Sequence, residues 1–176
     1  LGANSGFRPE DSPAFNLGDA FTMEVLVAPA ANNDGPWGRF FIGAFDPVVG
    51  VPIVGFCYRG EDHVAIIGTM TAPIPLDGAL HHVATVYSRP TLTLYLDGQL
   101  AGTMTYDYPF PPSGQPVRIT VGCDYNSGFW FGGLIDRARI SNRALKPSEF
   151  FGAAAPPAFN DGIPDSWRQQ HFGGGF

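Results

Sequence analysis

His82-Val83-Ala84-Thr85-Val86-Tyr87, then Ser88-Arg89-Pro90, then Thr91-Leu92-Thr93-Leu94-Tyr95-Leu96, then Asp97-Gly98 leading into Gln99 to Thr105, is the stretch that decides the fold. Two β-type runs meet around a proline turn, and the second turns back through Asp-Gly. That dipeptide readily takes the left-handed backbone of a two-residue hairpin, so consecutive antiparallel strands are expected here. The same grammar extends in both directions. Upstream, Phe21-Thr22-Met23-Glu24-Val25-Leu26-Val27 puts Phe21, Met23, Val25 and Val27 on one face and Thr22, Glu24 and Leu26 on the other. That is the pattern of an antiparallel strand with one half-polar face. Arg39 to Phe45, Ile53 to Arg59 and His63 to Thr69 read as further strands, as do Val117 to Val121 and Phe129 to Ile140. Ser148-Glu149-Phe150-Phe151, after Pro147, reads as a single helical turn.

Many strands with short turns and no helices between them indicate a β-sandwich or barrel rather than an α/β fold. We expect an all-β, two-sheet antiparallel β-sandwich over residues 1–152. Ala153-Ala154-Ala155-Pro156-Pro157 reads as a linker, and residues 153–176 as a short C-terminal extension that begins a following segment. The sequence opens at Leu1 without Met and ends on Gly173-Gly174-Gly175-Phe176, which reads as a piece of a larger precursor.

Composition narrows the function. The 176 residues hold fifteen Phe, six Tyr and three Trp, enough to fill a core without disulfide staples. No apolar run approaches the ~18 residues a membrane span needs. Ten basic residues against sixteen acidic give a net charge of −6 with Lys146 the single lysine. With nothing basic clustered to neutralise phosphates, nucleic acid is excluded as a partner. Hydrolytic chemistry is also poorly provided for. No GxSxG nucleophile motif is present. The four glutamates, Glu10, Glu24, Glu61 and Glu149, do not pair along one strand, whereas retaining glycoside hydrolysis needs two carboxyls ~5 Å apart. His81 and His82 face opposite ways on a strand, so they cannot share a site. We expect one to be buried and hydrogen-bonded and the other to lie on the surface. Cys57 and Cys123 could form one disulfide or remain small buried residues.

Several runs in order resemble the laminin-G-type (LamG-like) domain of the concanavalin A-like lectin/glucanase superfamily, found in bacterial surface and secreted proteins. Pro9 to Glu24 is similar to its opening. His81 to Tyr87 followed by Leu94-Tyr95-Leu96-Asp97-Gly98-Gln99-Leu100 is similar to its most recognisable stretch. Gly132 to Ile140 with Asn142-Arg143-Ala144-Leu145 resembles its closing strand. Leu80 stands where that family usually carries Trp, and Arg137 where it usually carries an acidic residue. The resemblance implies a jelly-roll sandwich at the cell surface or outside the cell, and a non-catalytic recognition or adhesion role.

It also implies a calcium ion at the rim. Asp46, Asp62, Asp107, Asp124 and Asn126 are the loop oxygens on offer, with Asp136 in the closing motif. Of these, Asp46, Asp107, Asp124, Asn126 and Asp136 are the candidate ligands for one calcium ion. Asp and Asn also favour turns on their own account. For a glycan, the aromatics in or beside loops are Trp37, Tyr106, Tyr108 and Tyr125. Two functions are therefore carried forward. The first is a non-catalytic extracellular module binding glycan or a protein at the cell surface. The second is a structural subunit that self-associates into a surface layer or filament, with a glycoside hydrolase ranked behind both. The extension from Ala153 has few large apolar residues and no core of its own, so we expect it to order only by docking, on the parent domain or on a neighbouring subunit. Deleting everything after Gly152 and comparing particle size and thermal stability tests this. Loss of stability, or conversion of an assembly to a monomer, is expected, and unchanged stability together with an unchanged assembly state would show that the extension is merely the stub of a following region.

Overall fold

The computed structural model describes residues 6–9, 15–30, 39–48, 52–58, 63–66, 70–107, 110, 113–123 and 130–151. Among these residues, ten strands run in chain order: β1 (Ala20–Pro29), β2 (Arg39–Phe45), β3 (Pro52–Tyr58), β4 (His63–Ile66), β5 (Met70–Pro73), β6 (His81–Ser88), β7 (Thr91–Leu96), β8 (Gln99–Thr105), β9 (Arg118–Val121) and β10 (Gly133–Ser141). They pair antiparallel into two five-stranded sheets, β10-β1-β6-β7-β8 and β5-β4-β3-β2-β9. The two-sheet sandwich expected from the strand pattern is the fold that forms. No helix among the described residues is long and apolar enough to cross a membrane.

The alternation in β1 sets the core. Phe21, Met23, Val25 and Val27 are completely buried, and Phe21 and Val25 lie opposite Tyr87 and Val83 of β6. Facing them from the second sheet are Phe41, Ile42, Val54, Phe56 and Ile119. Each such side chain contributes about 1.5–3 kcal/mol on burial. The polar atoms that share this space are satisfied. The Thr85 hydroxyl donates to the Thr93 carbonyl at 3.2 Å, and the Tyr87 hydroxyl donates to the Tyr106 carbonyl at 3.0 Å. The Asp-Gly turn between β7 and β8 has φ of 48° at Asp97 and 74° at Gly98. Both are left-handed, as the hairpin requires.

Three elements differ from the sequence expectation. β5 is an additional strand of four residues ending in Pro73, tolerated because it forms the edge of its sheet. The closing strand begins at Gly133 rather than Phe129, and Trp130 makes only an isolated bridge to Phe40. Near the start of the chain, Phe7 bridges to Val121 at the edge of β9. The expected helical turn is present as a 3-10 turn at Pro147–Glu149. The linker and extension, residues 153–176, lie outside the described residues.

The largest departure concerns the supposedly half-polar face of β1. Thr22 and Glu24 on that face are fully buried, because residues 142–151 fold back from β10 across the outside of the sheet. Leu145 and Phe150 pack there on Ala84, flanked by Val86 and Tyr95. Thr22 fastens the near end of this strap. Its hydroxyl donates to the Arg143 carbonyl and accepts from the Leu145 amide, both at 2.9 Å. At the far end, the Glu149 carboxylate accepts from the Lys146 amide at 2.8 Å and from Arg143 at 2.6 Å. Replacing the Thr22 hydroxyl with a methyl keeps the shape but orphans a buried amide. Thr22→Val should therefore lower unfolding stability by about 1–3 kcal/mol, while Thr22→Ser should retain most of it, as read by denaturant unfolding.

Candidate functional site

Glu24 sits in the middle of β1, with Ala84 of β6 opposite it on one side and Arg139 of β10 opposite it on the other. The small Ala84 leaves room that Phe150 fills. One carboxylate oxygen, Oε1, accepts from Arg139 Nε at 2.5 Å. The other, Oε2, faces His82 Nε2 at 2.9 Å and accepts from the Phe151 amide at 2.8 Å. A carboxylate can only accept, so His82 carries its proton on Nε2. Arg139 in turn donates from Nη2 to the Glu149 carbonyl at 2.7 Å, and its guanidinium lies 4.6 Å over the Phe151 ring. The Phe150 ring is 5.3 Å from the His82 ring. Sheet and strap thus close over a charged group on all sides.

Burial pushes the Glu24 carboxyl up. The hydrogen bonds from His82, Phe151 and Arg139, together with the Arg139 charge, outweigh it, and the net pKa lies below the ordinary 4.5. The lone pairs of this carboxylate are occupied by its own protein and no solvent reaches it. It cannot serve a substrate as acid, base or nucleophile. Its work is to hold the strap.

The histidine pair is confirmed in its opposed facing and corrected in its burial. Both residues are buried, with side chains 10% exposed for His81 and 8% for His82. Each face of the strand supplies its own carboxylates: Glu24 for His82, and Asp97 and Asp77 for His81.

The residues chosen from sequence are dispersed. Tyr106 is half-buried and set edge-on to Tyr87 with ring centroids 6.0 Å apart, and its amide donates to the Pro90 carbonyl at 2.7 Å. Asp46 is buried, its carboxylate accepting from the Val48 amide at 2.8 Å and the Ser113 amide at 3.2 Å. Asp107 pairs with Arg89 at 2.8 Å, and Asp136 with Arg137 at 2.9 Å. Asp46, Asp107 and Asp136 do not converge, and among the described residues no three His, Cys, Asp or Glu side chains gather to hold a metal. Trp37, Tyr108, Asp124, Tyr125 and Asn126 lie outside the described residues.

Of the two readings left open for the cysteines, the disulfide is not the one found: Cys57 and Cys123 are not bonded to each other. Cys57 lies on β3 and Cys123 follows β9, with β2 between those strands. Two strand spacings amount to ~9.5 Å, beyond the ~7 Å that a bridge spans. On the outer face of this second sheet, Gly43 and Gly55 face each other. The rings of Phe40 and Phe45 lie beside them with centroids 5.3 Å apart.

The buried Glu24–His82–Arg139 centre escaped the sequence reading. The signal that could have found it is a glutamate in mid-strand, where Glu is disfavoured, combined with arginines on the strand closing the same sheet.

A family model described as the concanavalin A-like lectin/glucanases superfamily matches residues 1–150. No match was found among curated proteins. Among solved structures, domain 4 of AbnA, a GH43 extracellular arabinanase from Geobacillus stearothermophilus in complex with arabinotriose, is similar. It shows 20% identity and a TM-score of 0.61 over 85% of this chain and 72% of that one. The CBM40 of the Ruminococcus gnavus IT-sialidase, bound to α2,3-sialyllactose, shows 14% identity and a TM-score of 0.66, over 86% of this chain and 92% of that one. Trypanosoma rangeli sialidase shows 18% identity and a TM-score of 0.55, over 76% of this chain but only 22% of that one. At these identities the likeness is one of fold.

A carboxyl whose folded pKa is depressed stabilises the fold above its unfolded value, and that contribution fades as pH falls through the folded one. For Glu24 the loss falls below about pH 4.5. Glu24→Gln should cost about 3 kcal/mol at neutral pH, the low end for breaking a buried pair, because Arg139 keeps 37% of its side chain exposed. Thermal melts should show the difference between variant and parent shrinking as pH is lowered from about 5 to about 3. A constant difference would mean that Glu24 is not ionised in the fold.

Proposed function

Because the chain belongs to the concanavalin A-like lectin/glucanases superfamily, we propose that it is a non-catalytic glycan-binding module acting outside the cell or at its surface. The observation that carries this reading is the likeness to two modules captured with bound oligosaccharide, each matched over most of its own length. The disposition of the acids supports it. Of the described glutamates, Glu24 is enclosed by its donors and Glu149 is taken up by Arg143 and the strap's own amide. Neither is placed to work with a second carboxylate across a cleft, as glycoside hydrolysis demands.

A glycan array probed with the intact chain should give saturable binding to a defined class of oligosaccharide, with no sugar released on prolonged incubation. Retention of a protein partner with no glycan bound would overturn the glycan reading. Turnover abolished by one Asp or Glu substitution would overturn the non-catalytic reading.

The self-associating alternative keeps one specific observation. β8, an edge strand of its sheet, carries no charged residue from Gln99 to Thr105 and exposes 65% of Leu100. Charges, lysine above all, are the usual guard against edge pairing. Size in solution at rising concentration separates the two: a constant monomer removes the assembly reading, and growth into polymers favours it.

A further inference from the structure

His81 lies at the start of β6 on the core-facing side, with Val27 of β1 opposite it. Its ring is pinned from two directions. Nδ1 lies 2.8 Å from Asp97 Oδ2 in the β7–β8 turn, and Nε2 lies 3.1 Å from Asp77 Oδ1 in the loop that leads into β6. A carboxylate is an acceptor only, so both ring nitrogens must donate, and only the protonated imidazolium can do that. In the neutral ring one nitrogen presents a lone pair to a carboxylate oxygen at hydrogen-bond distance, which is repulsive.

The two contacts are not equally secure. Asp97 is fixed in place. Its other oxygen accepts from the His82 amide at 2.8 Å, and its own amide donates to the His82 carbonyl at 2.8 Å. Asp77 is held only locally, its Oδ1 also accepting from the Ala79 amide at 2.8 Å. From Pro75 to Leu80 every residue is exposed, Leu76 and Leu80 among them. When the ring loses its proton, the Asp77 contact is the one to go.

We propose that His81 is an acid-closed clasp, which ties the exposed loop over residues 75–80 to the β7–β8 turn when its ring is protonated and releases that loop when it is neutral. The charged groups facing the ring are Asp77 from its own loop and Asp97 from the turn, while β1 offers only Val27. Burial draws the ring toward neutrality, but hydrogen bonds and charge from Asp97 and Asp77 outweigh it and raise its pKa above 6.5. The Asp77 carboxyl is held below its ordinary 3.8, first by the Ala79 amide and then by His81. A raised folded pKa means the clasp is fully effective below about pH 6.5 and is lost as pH climbs through the folded value. The end of the sandwich bearing the β7–β8 turn is therefore more tightly ordered in acid than in base.

The test is hydrogen exchange of the amides in residues 76–80, measured below and above the titration of the His81 ring protons followed by NMR. After correction for the intrinsic pH dependence of exchange, loop protection should fall by about tenfold for each unit by which the pKa is raised. Asp77→Asn, a surface change whose spectrum elsewhere reports an intact sandwich, should lower the His81 titration point. It should also leave the loop weakly protected at both pH values. Equal protection on both sides of the His81 titration in the unmodified chain would overturn the proposal. So would a ring that titrates at or below 6.5.

Discussion

A fully buried carboxylate on the outer face of a sheet constrains everything around it. With apolar surface keeping water away, Glu24 cannot stay ionised there unless several donors surround it. Those donors come from three parts of the chain that are distant in sequence: His82 on β6, Arg139 on β10 and the amide of Phe151 at the end of the strap. Satisfying Glu24 therefore orders β10 against β1, and brings residues 142–151 back across the sheet. The strap then supplies its own cover, with Leu145 and Phe150 on Ala84 and Tyr95 set edge-on to Phe150. A sandwich that would have two layers acquires a partial third.

That third layer bears on function. The centre of the β10-β1-β6-β7-β8 sheet is occupied by the chain itself, so its outer face is not open to a ligand over Thr22, Glu24 and Ala84. On the glycan-binding proposal, that covered patch is not where a sugar would sit. On the opposite sheet, Gly43 and Gly55 let two phenylalanine rings settle against the backbone. Phe40 and Phe45 are themselves nearly buried, so they shape that face rather than present stacking surfaces. The rim by the β7–β8 turn is organised differently, by polar contacts rather than apolar cover, through Asp97, which meets the His81 ring and the His82 backbone amide.

The sandwich was legible because its signals are local. Alternation in β1 named the core face, and Asp97-Gly98 named a hairpin whose backbone has the two left-handed residues it requires. What the sequence hid depends on what covers what. Period-two alternation tells which side of β1 carries Glu24, but not that Phe150 and Phe151 will lie over it from more than a hundred residues away. The opposed facing of His81 and His82 followed from strand geometry. That both would be buried did not, since it needed Asp77 and Asp97 to be placed around one ring and Glu24 beside the other. The candidate ligands Asp46, Asp107 and Asp136 looked alike as loop or edge oxygens, and each turned out to be committed to a different local partner. Short polar residues reveal their role only through their neighbours.

The central claim is that Glu24 and Arg139 act as a unit that holds strap and sheet together. A double-mutant cycle with Glu24→Leu and Arg139→Leu, read by denaturant unfolding of the two single variants, the double variant and the parent chain, measures it most directly. Removing either partner alone should be costly, and removing both should cost clearly less than the sum, with a coupling of about 1–3 kcal/mol. Strictly additive losses, with no coupling outside experimental error, would show that the two groups stabilise the fold independently and would contradict the account.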